Sequence, residues 1–551
     1  MDYLKLSKST DLSDRKEGFL YRFFEVLPGL LAWGTLFLII GLSFLIPVYI
    51  AIFVIVFDIY WLIKTVYLSL HLNQSFRTMR RYLKIDWLDK LEKLSSSSYQ
   101  LSGTKSWHEL YHLVILPRYK EEVEVVRVTL EGLLNSAYPK NKLIVVLAQE
   151  GRAGQEINQT GALLEKEYGQ KFFKFLVTEH PAGLSGELAG KGANAAFAAE
   201  QAKNLIIDPL NIPYAKIIVS NFDIDTVVPP HFFSCLAWHY LTAEKPLRSS
   251  FQPVPLFINN IWEAPAFARV FAFSTTFWQM IQQARPEQLV TFSSQSISFR
   301  ALVEVGFWQR NVVSEDSRIF WQCLLRYDGD WRTIPLYYPV YMDANVAPTF
   351  WQTVKNQNKQ IRRWHFGAEN NPYFMFGFYK NKKISPRLKW YFNWTISEKT
   401  HSSATNALII FLLGWLPLLV GGTAFNQTVL SLNLPYLTRN IMLLAMLGLV
   451  SSAAISIIFL PPRPPQFGRF KWIWMVLQWV LFPLNFIFFG AIPALDAQTR
   501  LMFGRYLGFW STPKARKANQ PYTHSKTPER ERRPSGSEEV VNPAGRIQGR
   551  E

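Results

Sequence analysis

Ile217-Ile218-Val219-Ser220-Asn221-Phe222-Asp223-Ile224-Asp225 is a brief β-branched run ending in two carboxylates one residue apart, closed by Thr226 and the pair Pro229-Pro230. An apolar stretch this short, bounded by turn residues, predicts a buried central strand of a parallel sheet. Open α/β sheets gather their ligands at the carboxyl ends of such strands. Side chains at i and i+2 of a regular strand point the same way, so Asp223 and Asp225 are expected to converge on one cation. One or two carboxylates, with substrate phosphates filling the other positions, commonly hold Mg²⁺. Two solvated loop acids are the plainer alternative for this stretch alone.

The neighbouring sequence repeats the pattern. Leu113-Val114-Ile115-Leu116 reads as a strand ending at Pro117, and 121–135 has helical periodicity. Leu143-Ile144-Val145-Val146-Leu147 is a second strand, 172–177 a third, and 193–202 an alanine-rich helix. Strands alternating with helices predict a doubly wound α/β unit with a mostly parallel sheet over residues 107–365.

Of the 551 residues, 49% are hydrophobic, and the apolar ones concentrate near both ends; the formal net charge is +18. Cytoplasmic Lys and Arg of a membrane protein produce such an excess, and no basic-aromatic nucleic-acid motif accompanies it. The only cysteines, Cys235 and Cys323, lack metal-ligand spacing, which suits a reduced, cytosol-facing unit.

Residues 1–26 are polar and read as a cytoplasmic segment. The stretch 27–72 suits two antiparallel transmembrane helices, since roughly 20 apolar residues cross a bilayer. Arg77, Arg80, Arg81 and Lys84 follow and assign the linker 73–106 to the cytoplasm. Beyond the α/β unit, 366–405 reads as interfacial, with aromatics and lysines mixed over 373–394. Residues 406–495 hold two clear spans, about 406–425 and 440–460. A third stretch, 472–495, is interrupted by Pro483 and Pro493 and is either spanning or re-entrant. The remainder, 496–551, is expected to be a basic, disordered tail. Within the α/β unit, Phe267, Val270, Phe271, Phe277, Trp278 and Ile281 share one helical face, which suits either a membrane surface or core packing.

Five stretches carry polar chemistry in order along the chain. Leu116-Pro117-Arg118-Tyr119-Lys120-Glu121 ends a strand with an aromatic and an acid, suiting a planar base, while Glu121 equally suits capping the helix that follows. Val146-Leu147-Ala148-Gln149-Glu150-Gly151 ends the next strand with groups able to hydrogen-bond a base edge. Gly190-Lys191-Gly192-Ala193-Asn194-Ala195 opens a helix with a point charge for phosphate. Ser314-Glu315-Asp316 places carboxylates at the start of a helix, where they suit either the helix dipole or general-base work. Gln360-Ile361-Arg362-Arg363-Trp364 sets Gln360, Arg363 and Trp364 on one helical face.

Together these stretches resemble the membrane-integrated family-2 glycosyltransferases of the cellulose synthase and hyaluronan synthase type. The likeness covers most of 107–365, and the flanking apolar segments agree with it. Lys120 and the Gln149-Glu150 pair depart from the family's usual Asn and Asp pair, which leaves the donor base open. The resemblance implies a glycosyltransferase-A-type fold and inverting transfer of a sugar from a nucleotide-diphosphate donor. By it, Asp223 and Asp225 hold Mg²⁺ or Mn²⁺, and Pro117, Tyr119, Glu121, Glu150, Lys191 and Asp223 bind the donor. Asp316 is the base, supported by Glu315, while Gln360, Arg363 and Trp364 serve the acceptor and diphosphate. The expected acceptor is a growing polysaccharide or a lipid-linked sugar, at the plasma membrane, with the catalytic unit cytoplasmic and bound to the bilayer. A single-addition glycolipid enzyme, and an inactive membrane scaffold keeping the fold, stand as alternatives.

Overall fold

The computed structural model describes residues 2–468 and 470–511, so the expected tail from 512 onward lies outside the described residues. Strands β1 (Tyr111–Arg118), β2 (Leu143–Glu150), β3 (Lys174–His180) and β4 (Ile217–Asn221) run parallel. With β5 (Ser249–Phe257), β6 (Ser296–Ser298) and β7 (Arg332–Met342) they form one sheet in the order β3-β2-β1-β4-β6-β5-β7. Strand β6 is antiparallel to both neighbours, and β7 is parallel to β5.

The apolar runs form strands because both faces of the sheet are covered. On β1, Leu113 and Ile115 enter one layer while Val114 and Leu116 enter the other; on β2, Ile144 and Val146 oppose Val145 and Leu147. All eight are fully buried, as near-continuous aliphatic runs in parallel strands require. The first layer includes the helix Lys191–Ala202, whose buried alanines let it close on the sheet. The helix Glu315–Arg326 lies in the same layer, and Val123–Leu134 and Phe232–Thr242 cover the opposite face.

Strand β4 stops at Asn221, short of the acidic pair. Phe222 N–H still bonds Ile115 O at 3.0 Å, but Thr226 N–H then turns back to Asp223 O at 2.9 Å. Asp223 and Asp225 therefore occupy a turn, and the alternation of a regular strand does not set their directions.

Among the described residues four helices are long and apolar enough to cross a membrane: Arg15–Leu45, Pro47–Tyr82, Val429–Ile458 and Lys471–Met502. The first begins within the segment expected to be polar, because Asp14 accepts from Glu17 N–H and caps it there. The second continues to Tyr82 with Arg77, Arg80 and Arg81 on its final turns. Ser385 and Pro386 start a long helix, Pro386–Phe411, that bends by 46° into Leu413–Val420 where one span near 406–425 is expected.

Two expected surface segments divide differently. The helix Ala266–Gln283 is buried, with Phe277 stacked on Trp479 and Phe267 on Phe489, so its apolar face meets protein. Even Arg269 is buried there, bonded to Gln478 Oε1 and Ala264 O at 2.6 Å each. In Asn370–Lys380, Tyr373, Phe374, Phe376 and Phe378 are interior, and Phe374 stacks on Trp321. Trp390 and Trp394, by contrast, are 71% and 65% exposed.

Candidate functional site

A cavity of about 190 Å³ lies at the carboxyl ends of β1, β2 and β4. The chain passes from β1 to β2 and β3 on one side, then to β4 on the other. Such a reversal opens a crevice between the first and fourth strands. Pro117, Tyr119 and Glu121 line it after β1, Glu150 after β2, and Asp223 and Asp225 after β4. Lys191 enters from the head of its helix, Glu315 and Asp316 from theirs, and Gln360, Arg363 and Trp364 close the far wall.

Lys191 is the electrostatic centre. Its Nζ lies 2.7 Å from Asp223 Oδ1, 3.0 and 2.9 Å from the two Asp316 oxygens, and 3.8 Å from Glu315 Oε1. Burial disfavours the ammonium, yet Asp223, Asp316 and Glu315 outweigh it and hold the Lys191 pKa above the usual lysine range. Burial, then the neighbouring Asp316, raises the pKa of Glu315; Lys191 and Arg363 oppose the rise. Burial also raises Asp316, with Asp223 adding to it and Lys191 working against it.

The helix carrying Lys191 comes this close because position 192 has no side chain. A Cβ on Gly192 would lie 2.9 Å from Glu315 Cβ and 3.0 Å from Gln309 O. Asn194 Nδ2 fixes the same helix to the end of β2 by donating to Ala148 O at 2.7 Å.

The acids of the turn are held separately. Asp223 Oδ2 accepts from Ser293 Oγ at 2.7 Å. Asp225 is fully buried, and its Oδ2 accepts the Asp343 backbone N–H at 2.9 Å. Among the described residues no three His, Cys, Asp or Glu side chains converge as a metal cage. Asp223 and Asp225 nevertheless both line the cavity, and a cationic ammonium already rests on Asp223. That donor set fits Mg²⁺ or Mn²⁺ completing its shell with phosphate oxygens.

At the β1 and β2 ends, Glu121 Oε2 accepts the Tyr119 backbone N–H at 2.8 Å. The carboxylate thus shapes the strand exit, and Glu122 occupies the position before the following helix. Glu150 points into the cavity, whereas Gln149 points away, donating to Ile157 O and abutting Gly161. The opposite directions of successive strand residues separate their roles.

On the far wall Thr349 caps the helix Phe350–His365 by accepting Gln352 N–H, which sets the phase of its later turns. Trp364 packs with Phe257, Phe271 and Phe292 at centroid distances of 6.2, 6.1 and 5.8 Å. Gln360 Oε1 accepts from Asn345 Nδ2 at 3.3 Å. Arg363 has a buried Nε without a hydrogen-bond partner among the described residues.

Several contributors escape the sequence reading. Glu369 accepts from Val313 N–H and Ser314 N–H, both at 2.9 Å, and from Ser314 Oγ at 2.7 Å, fixing the approach to Glu315. Arg152 bonds Glu150 at 2.9 Å and lies over the Tyr119 ring. Phe509 and Ser511 line the cavity from beyond the last apolar helix: the Arg363 guanidinium lies 4.9 Å from the Phe509 ring centre, and Ser511 Oγ donates to Glu121 Oε1 at 3.2 Å. Nothing in the sequence around Phe509 signals this return, apart from the aromatic pair Phe509-Trp510 itself.

No protein-family model and no curated protein matches the sequence. Among solved structures the chain is similar to the mannosyltransferase PcManGT from Pyrobaculum calidifontis in complex with GDP-Man and Mn²⁺, with 14% identity over 73% of this chain and 99% of that one, and a TM-score of 0.36. It is also similar to S. aureus TarS 1–349 in complex with UDP-GlcNAc (11% identity, 64% and 93% coverage, TM-score 0.29). A third is GalNAc-T7 with UDP, GalNAc and Mn²⁺ (12% identity, 53% and 57% coverage, TM-score 0.32). At these TM-scores the likenesses carry no weight for the chemistry, which rests on the cavity itself.

Proposed function

We propose that the cavity takes a nucleotide-diphosphate sugar and that the chain transfers the sugar, with inversion, to an acceptor reaching it from the membrane. The observation that carries this reading is Lys191 Nζ held between Asp223 and Asp316, at 2.7 and 2.9 Å. One cation lying between an acid of the β4 turn and an acid at the head of another helix marks where a diphosphate and an attacking hydroxyl can meet.

In this reading Asp223 and Asp225 would hold Mg²⁺ or Mn²⁺, which when bound neutralises charge on the departing diphosphate. Lys191 and Arg363 add their own positive charge to the same group. Asp316 accepts the proton of the acceptor hydroxyl as that oxygen attacks the anomeric carbon, and Glu315 keeps it oriented. Trp364, backed by three phenylalanines, offers a flat surface to the acceptor ring, and Gln360 bonds its hydroxyls. The acceptor class is a growing polysaccharide or a lipid-linked sugar, because the wall bearing Trp364 continues into the apolar helices through Phe271 and Trp479.

The test is nucleoside diphosphate release by the purified full chain across a panel of nucleotide sugars with Mn²⁺, comparing wild type with Asp316→Asn. Wild type should turn over at least one donor, and Asp316→Asn should lose on the order of 10²- to 10⁴-fold in rate while still binding nucleotide. Absence of turnover by wild type across the panel, with membrane lipids and sugar acceptors supplied, overturns the reading.

A further inference from the structure

The two long faces of the helix Pro47–Tyr82 meet different surroundings. On one face Thr65 and Ser69 meet Gly448 of the helix Val429–Ile458, and Leu72, Phe76 and Met79 are buried with Trp262 and Phe267 of the α/β unit. These contacts fix the rotation of the helix. On the opposite face Ile59, Ile63, Val66 and Leu70 recur at helical spacing as an apolar stripe, 43% to 64% exposed. The stripe turns polar as it continues. Asn73, Gln74, Arg77, Thr78 and Arg81 line one groove with Leu70. Arg77 and Arg81 are exposed and meet no carboxylate among the described residues, and the groove has no acidic wall. Arg80 stands on its flank, 5.8 Å from the centre of the Phe76 ring.

We propose that this stripe seats an anionic phospholipid, with an acyl chain along Ile59, Ile63, Val66 and Leu70 and the phosphate between Arg77 and Arg81. The lengths agree. From Ile59 to Leu70 the helix rises about 16 Å, about half of the roughly 30 Å hydrocarbon layer. Arg77 lies about 10 Å further along, at headgroup depth, and a long side chain there can lower its charged end towards a phosphate. Guanidinium forks bind phosphate oxygens two at a time. The Gln74 amide and the Thr78 hydroxyl stand beside them to bond headgroup hydroxyls. A choline headgroup would bring a cation into a groove that has two arginines and no acid. The site therefore favours a lipid with net negative charge. A free phosphate would satisfy the arginines but leave the apolar stripe unused. The assignment stands apart from the donor cavity, on a different face of the molecule.

The experiment is native mass spectrometry of the purified full chain released from nanodiscs of phosphatidylcholine with a minority of phosphatidylglycerol, reading the ratio of the two lipids that stay bound. Wild type should retain phosphatidylglycerol in excess of the proportion supplied. Arg77→Gln/Arg81→Gln should lose that enrichment by on the order of tenfold, and Thr78→Glu, which sets a carboxylate between the arginines, should lose it with both arginines present. Lys171→Gln/Lys174→Gln, an exposed basic pair on the α/β unit, should keep it. Equal melting temperatures in phosphatidylcholine alone establish that the variants are folded. Wild type holding the lipids in the proportion supplied overturns the proposal, as does enrichment that survives the Arg77/Arg81 double variant. Displacement of the lipid by inorganic phosphate would reduce the groove to an anion site and overturn the lipid assignment.

Discussion

Glu315 is a buried acid with little packing reason for its place. It is 1% exposed, its Oε1 has no hydrogen-bond partner among the described residues, and the ammonium 3.8 Å away, Lys191, is shared with Asp223 and Asp316. Burying a carboxylate under such terms costs stability unless it takes up a proton. The folded pKa is raised, while in the unfolded chain Glu315 titrates near ~4.3. Above that pH the unfolded state has released the proton and the folded state retains it, so the unfolded state binds fewer protons and stability falls as pH rises through the window. Glu315→Gln removes this titration. Its melting temperature should exceed that of wild type by a margin that widens from pH 5 to pH 8, with transfer activity reduced. Thermal melts in detergent across that range check it, and a margin independent of pH would contradict it. The sequence offers the acid at this position; its burial against Gly192 follows only from the approach of a distant helix.

That approach belongs to the scale of elements, where the backbone contact at Gly192 matters more than any hydrogen bond. A methyl group there would meet Glu315 Cβ at 2.9 Å and Gln309 O at 3.0 Å, neither of which is the flexible end of a side chain. Gly192→Ala should therefore push the Lys191 helix away from the Glu315 helix, costing about 1–3 kcal/mol. It should also lower transfer rate more than nucleotide binding, because Lys191 and Asp316 separate. Denaturation midpoints and a KM-against-kcat comparison read the two effects. The elements themselves were largely legible: the β-branched runs of β1, β2 and β4 and the i, i+3, i+4 spacing of Gln360, Arg363 and Trp364 follow from local chemistry. The end of β4 was not legible, because it depends on where bonds to Ile115 and Gln295 stop. Nor was the burial of Ala266–Gln283, since an apolar helical face looks the same whether lipid or Trp479 covers it. Glu369 and Phe509 reach the site through folding of distant segments, for which spacing carries no signal.

For the whole molecule the packing of the chain ends gives an expectation for which side of a membrane each turn occupies. Ile46 joins the first two apolar helices, and the turn at Gly421 sits against Pro47, so these two turns share one end of the bundle. At the other end Phe459 meets Phe76, and Trp262 Nε1 of the α/β unit donates to Pro461 O at 3.1 Å. The segment Lys471–Met502 then starts beside the α/β unit and also finishes there. Arg22 bonds Leu501 O at 3.0 Å, Arg362 pairs with Asp496 at 3.0 Å, and Phe509 enters the cavity. A helix with both ends on one side is expected to lie along the interface rather than to cross. The expected result is that Gln466→Cys, Arg505→Cys and Lys174→Cys all react with an impermeant maleimide from the same face of sealed vesicles, the face of Arg77, Arg80 and Arg81. Thr423→Cys should react only from the opposite face; the native Cys235 and Cys323 are buried and contribute little background. Labelling of Arg505→Cys together with Thr423→Cys would mean that Lys471–Met502 crosses. The cavity would then lose Phe509 and Ser511, and Arg363 and Glu121 would need other partners to keep the far wall closed.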